Sequence, residues 1–345
     1  MKKIKYGFVL TIISIVLALS ITSSFFILNN QKKKLTIAES HHPESAISTY
    51  FKQIKNNNFD NIFDDSLKVE SHLNSKKDYI EALKNIYKDV DIQKLNYIKS
   101  EDNLYQIVYD NKLISSLRLI KSNDSEYIVS TIFTSGNDYI IQAPSDITIM
   151  INENELDNSY IIENNVVASN FLGLTNTSDS PKVNTYEIKN LINEPEISTK
   201  ESGYSVIKDV LNDYYYVGKI ASNNLDTIFE NAAKAVAKYP TKDGGLSSIP
   251  AITNSDFYNR IKTLDNQWYA PHGISQFSNI NVNNVIMQSD NSMIGNITMD
   301  YLISSSSASK NYHIGYQITF LNISNTWKIA GFAIDNDLNP LNKEE

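Results

Sequence analysis

The stretch of sequence that decides the predicted fold reads Asn57-Asn58-Phe59-Asp60-Asn61-Ile62-Phe63. It recurs after a shift of 166 residues (223 − 57) as Asn223-Asn224-Leu225-Asp226-Thr227-Ile228-Phe229. The same shift places three upstream residues on three others: Tyr50, Phe51 and Ile54 on Tyr216, Val217 and Ile220. Such a repeat takes precedence over single elements, because a missed repeat misassigns the whole fold. The chain is therefore predicted to carry two copies of one folding unit.

Helices come first in each copy, and strands follow. The opening helix of copy two is predicted over 207–236, from apolar residues three and four apart, with a kink or break at Gly218 and Asn223–Asn224. A second helix is predicted over 76–88 in copy one and over 255–267 in copy two. Strand alternation follows over 104–109, 113–121 and 127–133, and again over 275–288, 293–303, 312–321 and 326–334. This order predicts an α+β fold in which a curled antiparallel sheet folds over its helices.

The segment between the copies, residues 138–202, is acidic, with three basic and eleven acidic side chains. Within it, Pro144 to Leu156 alternates into a polar turn and predicts a β-hairpin, with Asn154 in the left-handed conformation. A strand that follows a proline and ends in an asparagine turn resembles the small PEGA-like surface modules. We expect an acidic, β-rich linker module here.

The order of elements in both copies resembles the NTF2-like superfamily. The resemblance is carried by the opening helix that ends in Asn57-Asn58-Phe59-Asp60 and by the last strand, Trp327-Lys328-Ile329-Ala330-Gly331-Phe332, which follows a small turn. It implies a cone-shaped pocket in each copy. The predicted organisation has four parts: a membrane anchor with basic flanks (1–35), a first NTF2-like domain (43–137), the linker module (138–202) and a second NTF2-like domain (203–338).

The anchor is predicted from the apolar run Tyr6 to Leu28. At about 1.5 Å per residue this run spans roughly 34 Å, enough for one transmembrane helix. Three lysines stand on each side of the run, so charge does not set its orientation. The short leader favours an extracytoplasmic body on a single-pass protein of the cell membrane, with cleavage near Ala18-Leu19-Ser20 as the alternative.

Composition excludes several classes of function. The chain has no cysteine, which removes disulfides, thiolate catalysis and thiolate metal sites. A net charge of −8 and only two arginines, Arg118 and Arg260, argue against nucleic acid as a partner. Asp300 and Tyr301 are neighbours on a predicted strand and point to opposite faces, so they do not form one catalytic pair. With no phosphate loop or serine elbow in the sequence, we predict no catalytic residue, no metal and no cofactor.

Four residues are the candidates for ligand binding. Trp268, Tyr269 and His272 lie in the aromatic loop Trp268-Tyr269-Ala270-Pro271-His272-Gly273, which enters the strands of copy two. Aromatic faces there suit a sugar or a peptide, and loops on rigid scaffolds often carry function. His313 lies on the strand face opposite Tyr312 and Ile314, where it either lines a pocket or meets solvent.

These observations predict a non-catalytic, membrane-anchored binding or scaffold protein of the cell envelope, with cell-wall polymer or envelope proteins as partners. The architecture resembles anchored surface proteins of Gram-positive bacteria, namely the TcaA-like family and the NTF2-like N-terminal domains of some penicillin-binding proteins. One alternative is a component of a conjugation or secretion channel similar to the TcpC and VirB8-like families. Another is an enzyme for a small molecule in the second cone, which requires a buried carboxylate near Tyr312 to Phe320.

Overall fold

The chain forms two compact units, Met1–Gly136 and Asn137–Glu345. The computed structural model describes residues 28, 31–32, 42–67, 73–122, 126–133, 136–221, 225–264, 271–335 and 337–338. Strands account for 45% and helices for 24%, so the fold is mostly β. The predicted α+β architecture of two helix-filled cone domains is therefore wrong.

The first unit combines three helices with one antiparallel sheet. Its helices are α1 (Pro43–Lys55), α2 (Phe59–Ser66) and α3 (Lys76–Tyr87), followed by a 3-10 turn (Ile92–Lys94). Its strands are β1 (Asn96–Glu101), β2 (Leu104–Tyr109), β3 (Lys112–Lys121) and β4 (Tyr127–Ile132), paired in that order. Ser75 begins α3 as its N-cap, because its Oγ accepts the Asp78 backbone N–H at 3.1 Å.

Buried tyrosine hydroxyls link helices to strands in the core of this unit. The hydroxyl of Tyr50 on α1 lies 2.9 Å from Thr131 Oγ1 on β4 and 3.4 Å from the hydroxyl of Tyr87. The Tyr87 hydroxyl in turn lies 3.2 Å from Ser115 Oγ on β3. Burial, and the neighbouring Tyr87, raise the pKa of Tyr50 well above its ordinary value, so the hydroxyl stays protonated. This network fixes α1 and α3 on the sheet.

The second unit is built on a large sheet. Its strands are β5 (Asn137–Ala143), β6 (Ile149–Ile151), β7 (Asn154–Glu155), β8 (Ile161–Val167), β9 (Lys182–Leu191), β10 (Ile197–Thr199), β11 (Tyr204–Lys208), β12 (Tyr214–Ile220), β13 (Ile274–Ser289), β14 (Ser292–Ser304), β15 (Ser309–Ile323) and β16 (Thr326–Ile334). Its helices are α4 (Asp226–Lys238) and α5 (Asp256–Lys262), with 3-10 turns at Asn158–Tyr160, Ser169–Phe171 and Leu246–Ser248. The nine-stranded sheet runs β16-β15-β14-β13-β12-β5-β9-β8, with β11 on β12, and β10-β6-β7 form a separate three-stranded sheet.

Only the C-terminal part of the helix predicted over 207–236 is helical in the structure. Residues 214–220 form β12 instead, which pairs with β5 in parallel and with β11 and β13 in antiparallel. The run Tyr214-Tyr215-Tyr216-Val217 is aromatic and β-branched, and such residues suit a pleated, half-buried surface. Gly218 allows close strand approach, since a Cβ there would lie 2.5 Å from the Met287 carbonyl oxygen. Helix α4 begins only at Asp226.

The repeat therefore aligns helix α2 with helix α4, but the segments upstream of these helices do not have the same structure. Its core aligns the starts of two real helices to within one residue, since the shift places Phe59, where α2 begins, on Leu225, and α4 begins at Asp226. Asn223 and Asn224 lie outside the described residues. Upstream, however, the shift places helix α1 on strand β12. The downstream strand predictions are confirmed, and 104–109 and 326–334 match β2 and β16 residue for residue.

Strands of the predicted linker join the same sheet as the predicted second copy. Strand β5 pairs with β9 on one side and β12 on the other. The predicted hairpin is present as β6 and β7, but Asn152 and Glu153, with φ of 47° and 69°, form its turn. Asn154 is not left-handed, because two positive-φ residues already complete a two-residue hairpin turn.

The predicted transmembrane helix is corrected by the structure. Among the residues described, no helix is both long and apolar enough to cross a membrane. A spanning helix needs about 20 apolar residues, whereas α1 and α4 have 13 each. The run on which the prediction rested, Tyr6 to Leu28, lies outside the described residues except for Leu28. The described residues therefore contain no span that could serve as the predicted anchor or place the chain as a single-pass protein in a cell membrane.

The main core of the second unit lies between α4 and the long strands. Phe229 of α4 is fully buried and meets Phe320 of β15 edge to face, with ring centroids 4.9 Å apart. Gly295 of β14 leaves room for this ring, since a Cβ there would lie 2.9 Å from it. On the other face of β15, Phe171, Leu321 and Ala330 form a second cluster. That cluster holds the 3-10 turn Ser169–Phe171 against β15 and β16.

Candidate functional site

The structure separates the predicted ligand-binding residues. Trp268 and Tyr269 lie outside the described residues. The side chain of His272 is only 6% exposed, and its Nε2 lies 3.0 and 3.1 Å from the two carboxylate oxygens of Asp243. His272 therefore fastens the segment that enters β13 and does not present its ring to solvent.

Asp243 is held by several donors at once. The Tyr301 hydroxyl donates to its Oδ2 at 2.7 Å, and Thr241 Oγ1 donates to the same oxygen at 3.0 Å. Burial opposes ionisation of Asp243, but hydrogen bonds from Tyr301, His272 and Thr241 together hold its pKa below the ordinary value. Burial, aided by Asp243, raises the pKa of Tyr301 to about 12. A carboxylate so fully engaged is a poor proton acceptor, so the cluster positions its loop.

His313 lies on the opposite face of the sheet. Its Nδ1 lies 2.7 Å from Asp300 Oδ1, and Asn279 Nδ2 donates to the other oxygen of that carboxylate at 2.5 Å. The hydrogen bond with His313, followed by that from Asn279, lowers the pKa of Asp300. Asp300 and Tyr301 do point to opposite faces, so the two histidines are not brought together.

A cleft of about 270 Å³ lies elsewhere in the second unit. It is bounded by the 3-10 turn Ser169–Phe171, by helix α5 and by strands β15 and β16. The residues that matter for its chemistry are Asn170, Asp256, Arg260, Gln317, Thr319 and Ala333. This volume lies just below the usual range of small-molecule sites, roughly 300–1,000 Å³.

Hydrogen bonds and one glycine hold the walls of the cleft together. Asn170 Nδ2 donates to Gln288 Oε1 at 2.7 Å and to Thr319 Oγ1 at 3.2 Å. Gly331 of β16 lets the 3-10 turn approach, since a Cβ there would lie 2.8 Å from the Asn170 carbonyl oxygen. The Asp256 N–H donates to the Gly173 carbonyl at 2.8 Å, which ties α5 to the residues after the turn.

Gln317 places a hydrogen-bond acceptor in the cleft. The side chain lies on β15 and the residue is 4% exposed. Its amide nitrogen is used twice, donating to the Lys208 carbonyl at 2.8 Å and to Asn296 Oδ1 at 3.0 Å. Within the described residues, its carbonyl oxygen accepts no hydrogen bond. A ligand N–H or O–H in the cleft would satisfy this oxygen.

Two opposite charges complete the cleft. Asp256 and Arg260 are exposed, lie one turn apart on α5, and both line it. In the part of the chain that the structure describes, neither side chain forms an ion pair. Phe257 anchors the helix by stacking on Phe332 of β16, with ring centroids 4.9 Å apart. The charges are thus fixed to the cleft through their helix.

Sequence reasoning missed this cleft. Its residues come from four segments, 169–173, 209–211, 256–260 and 317–333, which no local pattern connects. One signal was present: Arg260 is one of only two arginines, and Asp256 precedes it by one helical turn. Trp268, Tyr269 and His272 precede β13 in the sequence, and His313 lies on the same face of β15 as Gln317 and Thr319 but does not line the cleft.

No family model and no curated protein matches the chain. Membership of the NTF2-like superfamily and the absence of catalysis stay predictions from the sequence.

Proposed function

We propose that the chain is a non-catalytic binding protein whose second unit takes a small polar ligand in the cleft between α5, β15 and β16. The observation that carries this proposal is Gln317, a buried side chain whose carbonyl oxygen opens on the cleft without an intramolecular donor. Among the described residues this oxygen is not one of the fully buried atoms that lack a partner, so it is open to solvent, and a ligand N–H or O–H can replace water as its donor.

The surroundings of Gln317 support a ligand of polar character. Asp256 and Arg260 add a carboxylate and a guanidinium, and Thr319 adds a hydroxyl. Small-molecule sites use a few convergent polar groups of this kind to orient a ligand in a preformed concavity. Opposite the cleft mouth, the hydrogen bonds of Asn170 hold the wall in place, so ordering the site on binding costs little.

Binding is favoured over catalysis by the hydrogen bonds that already engage the carboxylate of Asp209 and the hydroxyl of Ser169. Asp209, which also lines the cleft, accepts from the Leu211 N–H at 2.8 Å and from the Tyr216 hydroxyl at 3.0 Å. The Ser169 hydroxyl lies 3.1 Å from that same tyrosine. A hydroxyl tied to a tyrosine and a carboxylate filled by donors do not make an activated nucleophile and its base.

A matched pair of substitutions tests the proposal. Ala333 stands opposite Gln317 in the strand pairing and lines the cleft, so Ala333→Leu fills it. Ala308→Leu adds the same bulk on the exposed turn between β14 and β15. Titration calorimetry of the full chain would use three probes: N-acetyl-D-glucosamine, myo-inositol and L-leucine.

We expect at least one probe to bind the wild type and Ala308→Leu equally, and to bind Ala333→Leu about tenfold more weakly or not at all, because an overfilled cavity cannot seat it. Equal binding to Ala333→Leu would place the ligand elsewhere. Absence of binding by all three probes would overturn the proposal.

A further inference from the structure

We infer that the ligand is a zwitterion of the α-amino acid type, whose carboxylate binds Arg260 and whose ammonium binds Asp256. This inference rests on the proposed function, since it assigns the chemical class of the ligand to the same cleft. The juxtaposition that points to it is an unpaired carboxylate and an unpaired guanidinium on one helix turn, beside the free oxygen of Gln317.

The spacing of the two charges restricts the ligand. Residues four apart on a helix lie on one face, with Cβ atoms about 5–6 Å apart. An aspartate four residues before an arginine can form an ion pair across that turn, but Asp256 and Arg260 form none among the described residues. A ligand with both charges on neighbouring atoms would bridge them.

Other classes of ligand leave one of the two charges, on Asp256 or on Arg260, without an opposite charge. A simple anion pairs with Arg260 but is repelled by the carboxylate of Asp256. A simple cation pairs with Asp256 but is repelled by Arg260. A neutral sugar pairs with neither as an ion. Like charges brought together at a binding site cost affinity, so this arrangement discriminates against singly charged competitors.

The acceptor on Gln317 agrees with an ammonium group. An ammonium carries three N–H donors and no acceptor. Asp256 would take one or two of these donors, and the Gln317 carbonyl oxygen is an acceptor for another. A carboxylate offers no hydrogen to Gln317, so the oxygen adds selectivity for the amino end of the ligand.

An apolar rim indicates an apolar side chain on the ligand. Leu211 lines the cleft and is 53% exposed, and Leu172, which directly precedes cleft residue Gly173, is 65% exposed. An apolar side chain on a ligand in the cleft could pack against Leu211 and remove part of that exposed surface from water. L-leucine therefore serves as the probe.

Chemical variants of the probe test each charge separately. N-acetyl-L-leucine lacks the ammonium, and L-leucinamide lacks the carboxylate. They are titrated into the wild type, Asp256→Asn, Arg260→Gln and the control Lys262→Gln, which alters an exposed charge on the same helix outside the cleft. Thermal unfolding of each variant checks that the second unit is intact.

We expect leucine to bind the wild type and Lys262→Gln equally, and to bind Asp256→Asn and Arg260→Gln about tenfold more weakly, since each loses one charge-assisted contact. N-acetyl-L-leucine should bind Asp256→Asn at least as tightly as the wild type, and L-leucinamide should bind Arg260→Gln at least as tightly, because each substitution removes the like charge that opposes the probe. Equal binding of all three compounds to the wild type would overturn the inference that the ligand is a zwitterion.

The two proposals fail in different ways. If N-acetyl-D-glucosamine or myo-inositol binds in a manner blocked by Ala333→Leu while leucine does not bind, the zwitterion is wrong and the cleft remains a binding site. If none of the probes binds, both proposals are wrong.

Discussion

Substituting Gly331 by alanine tests how the cleft is built. A Cβ at this position would lie 2.8 Å from the backbone oxygen of Asn170 and 3.3 Å from Thr319 Cβ. Ordinary contacts begin at 3.4 Å, so the 3-10 turn must retreat by about 0.6 Å (3.4 − 2.8). Backbone cannot rotate away as a side chain does, and the cost falls on the contacts between this turn and β16.

The magnitude follows from what the movement disturbs. Overpacking of a closely fitted interior costs about 1–3 kcal/mol. The retreat also strains the bonds from Asn170 to Gln288 and Thr319, each worth about 1 kcal/mol. Since these costs overlap, we expect Gly331→Ala to lower the free energy of unfolding by about 1–3 kcal/mol.

Urea unfolding of the full chain, followed by tryptophan emission, measures this change in the second unit. Both tryptophans, Trp268 and Trp327, belong to that unit. Gly273→Ala is the control, because nothing lies within 4 Å of the added carbon and a shift under about 0.5 kcal/mol is expected. If the two variants have the same midpoint at the same slope, the close approach of the turn to Gly331 is wrong.

Two further predictions concern hydrogen-bonded groups in the two units. Tyr50→Phe removes the hydroxyl that contacts Thr131 and Tyr87, and should weaken hydrogen-exchange protection of β4 by about 1–2 kcal/mol, whereas the exposed Tyr97→Phe should not. Asp243 has a lowered pKa when folded, so the unfolded state binds more protons and the carboxylate stabilises the fold above about pH 4. The stability advantage of the wild type over Asp243→Asn should rise between about pH 3 and 6 in urea titrations, and a constant difference would contradict the hydrogen-bond account.

Antiparallel strands were predictable because their signal is local. Strands β2 and β16 were placed residue for residue, since polar and apolar side chains alternate along each and turn residues bound them. Strand β12 was not, because residues 214–220 are mostly apolar on both faces and fit helical spacing as well as strand alternation. Its parallel pairing of Tyr214 with Ile140 joins residues that no local pattern relates.

The candidate site could not be predicted from local sequence patterns for the same reason. His272 was noticed as a residue type that supports chemistry, but its role depends on Asp243, which approaches it only in the folded chain. Conversely, the sequence shows Gln317 only as one amide in a strand. The folded structure shows that its nitrogen already donates to Lys208 and Asn296, which leaves its oxygen without a donor from the described residues. Whether a polar group is satisfied is a property of the tertiary structure, and it is this property that marks a site.

The register of β16 decides whether the cleft exists. Thr319 pairs with Gly331 but Phe320 pairs with Ile329, so Ala330 is an extra residue, a β-bulge. Ile329 packs in the core below the sheet, as does Phe332. The bulge thus gives two consecutive small residues, Ala330 and Gly331, to the face that meets the 3-10 turn. Without it, strict alternation would put one larger side chain there, and the turn would have no room to form a wall.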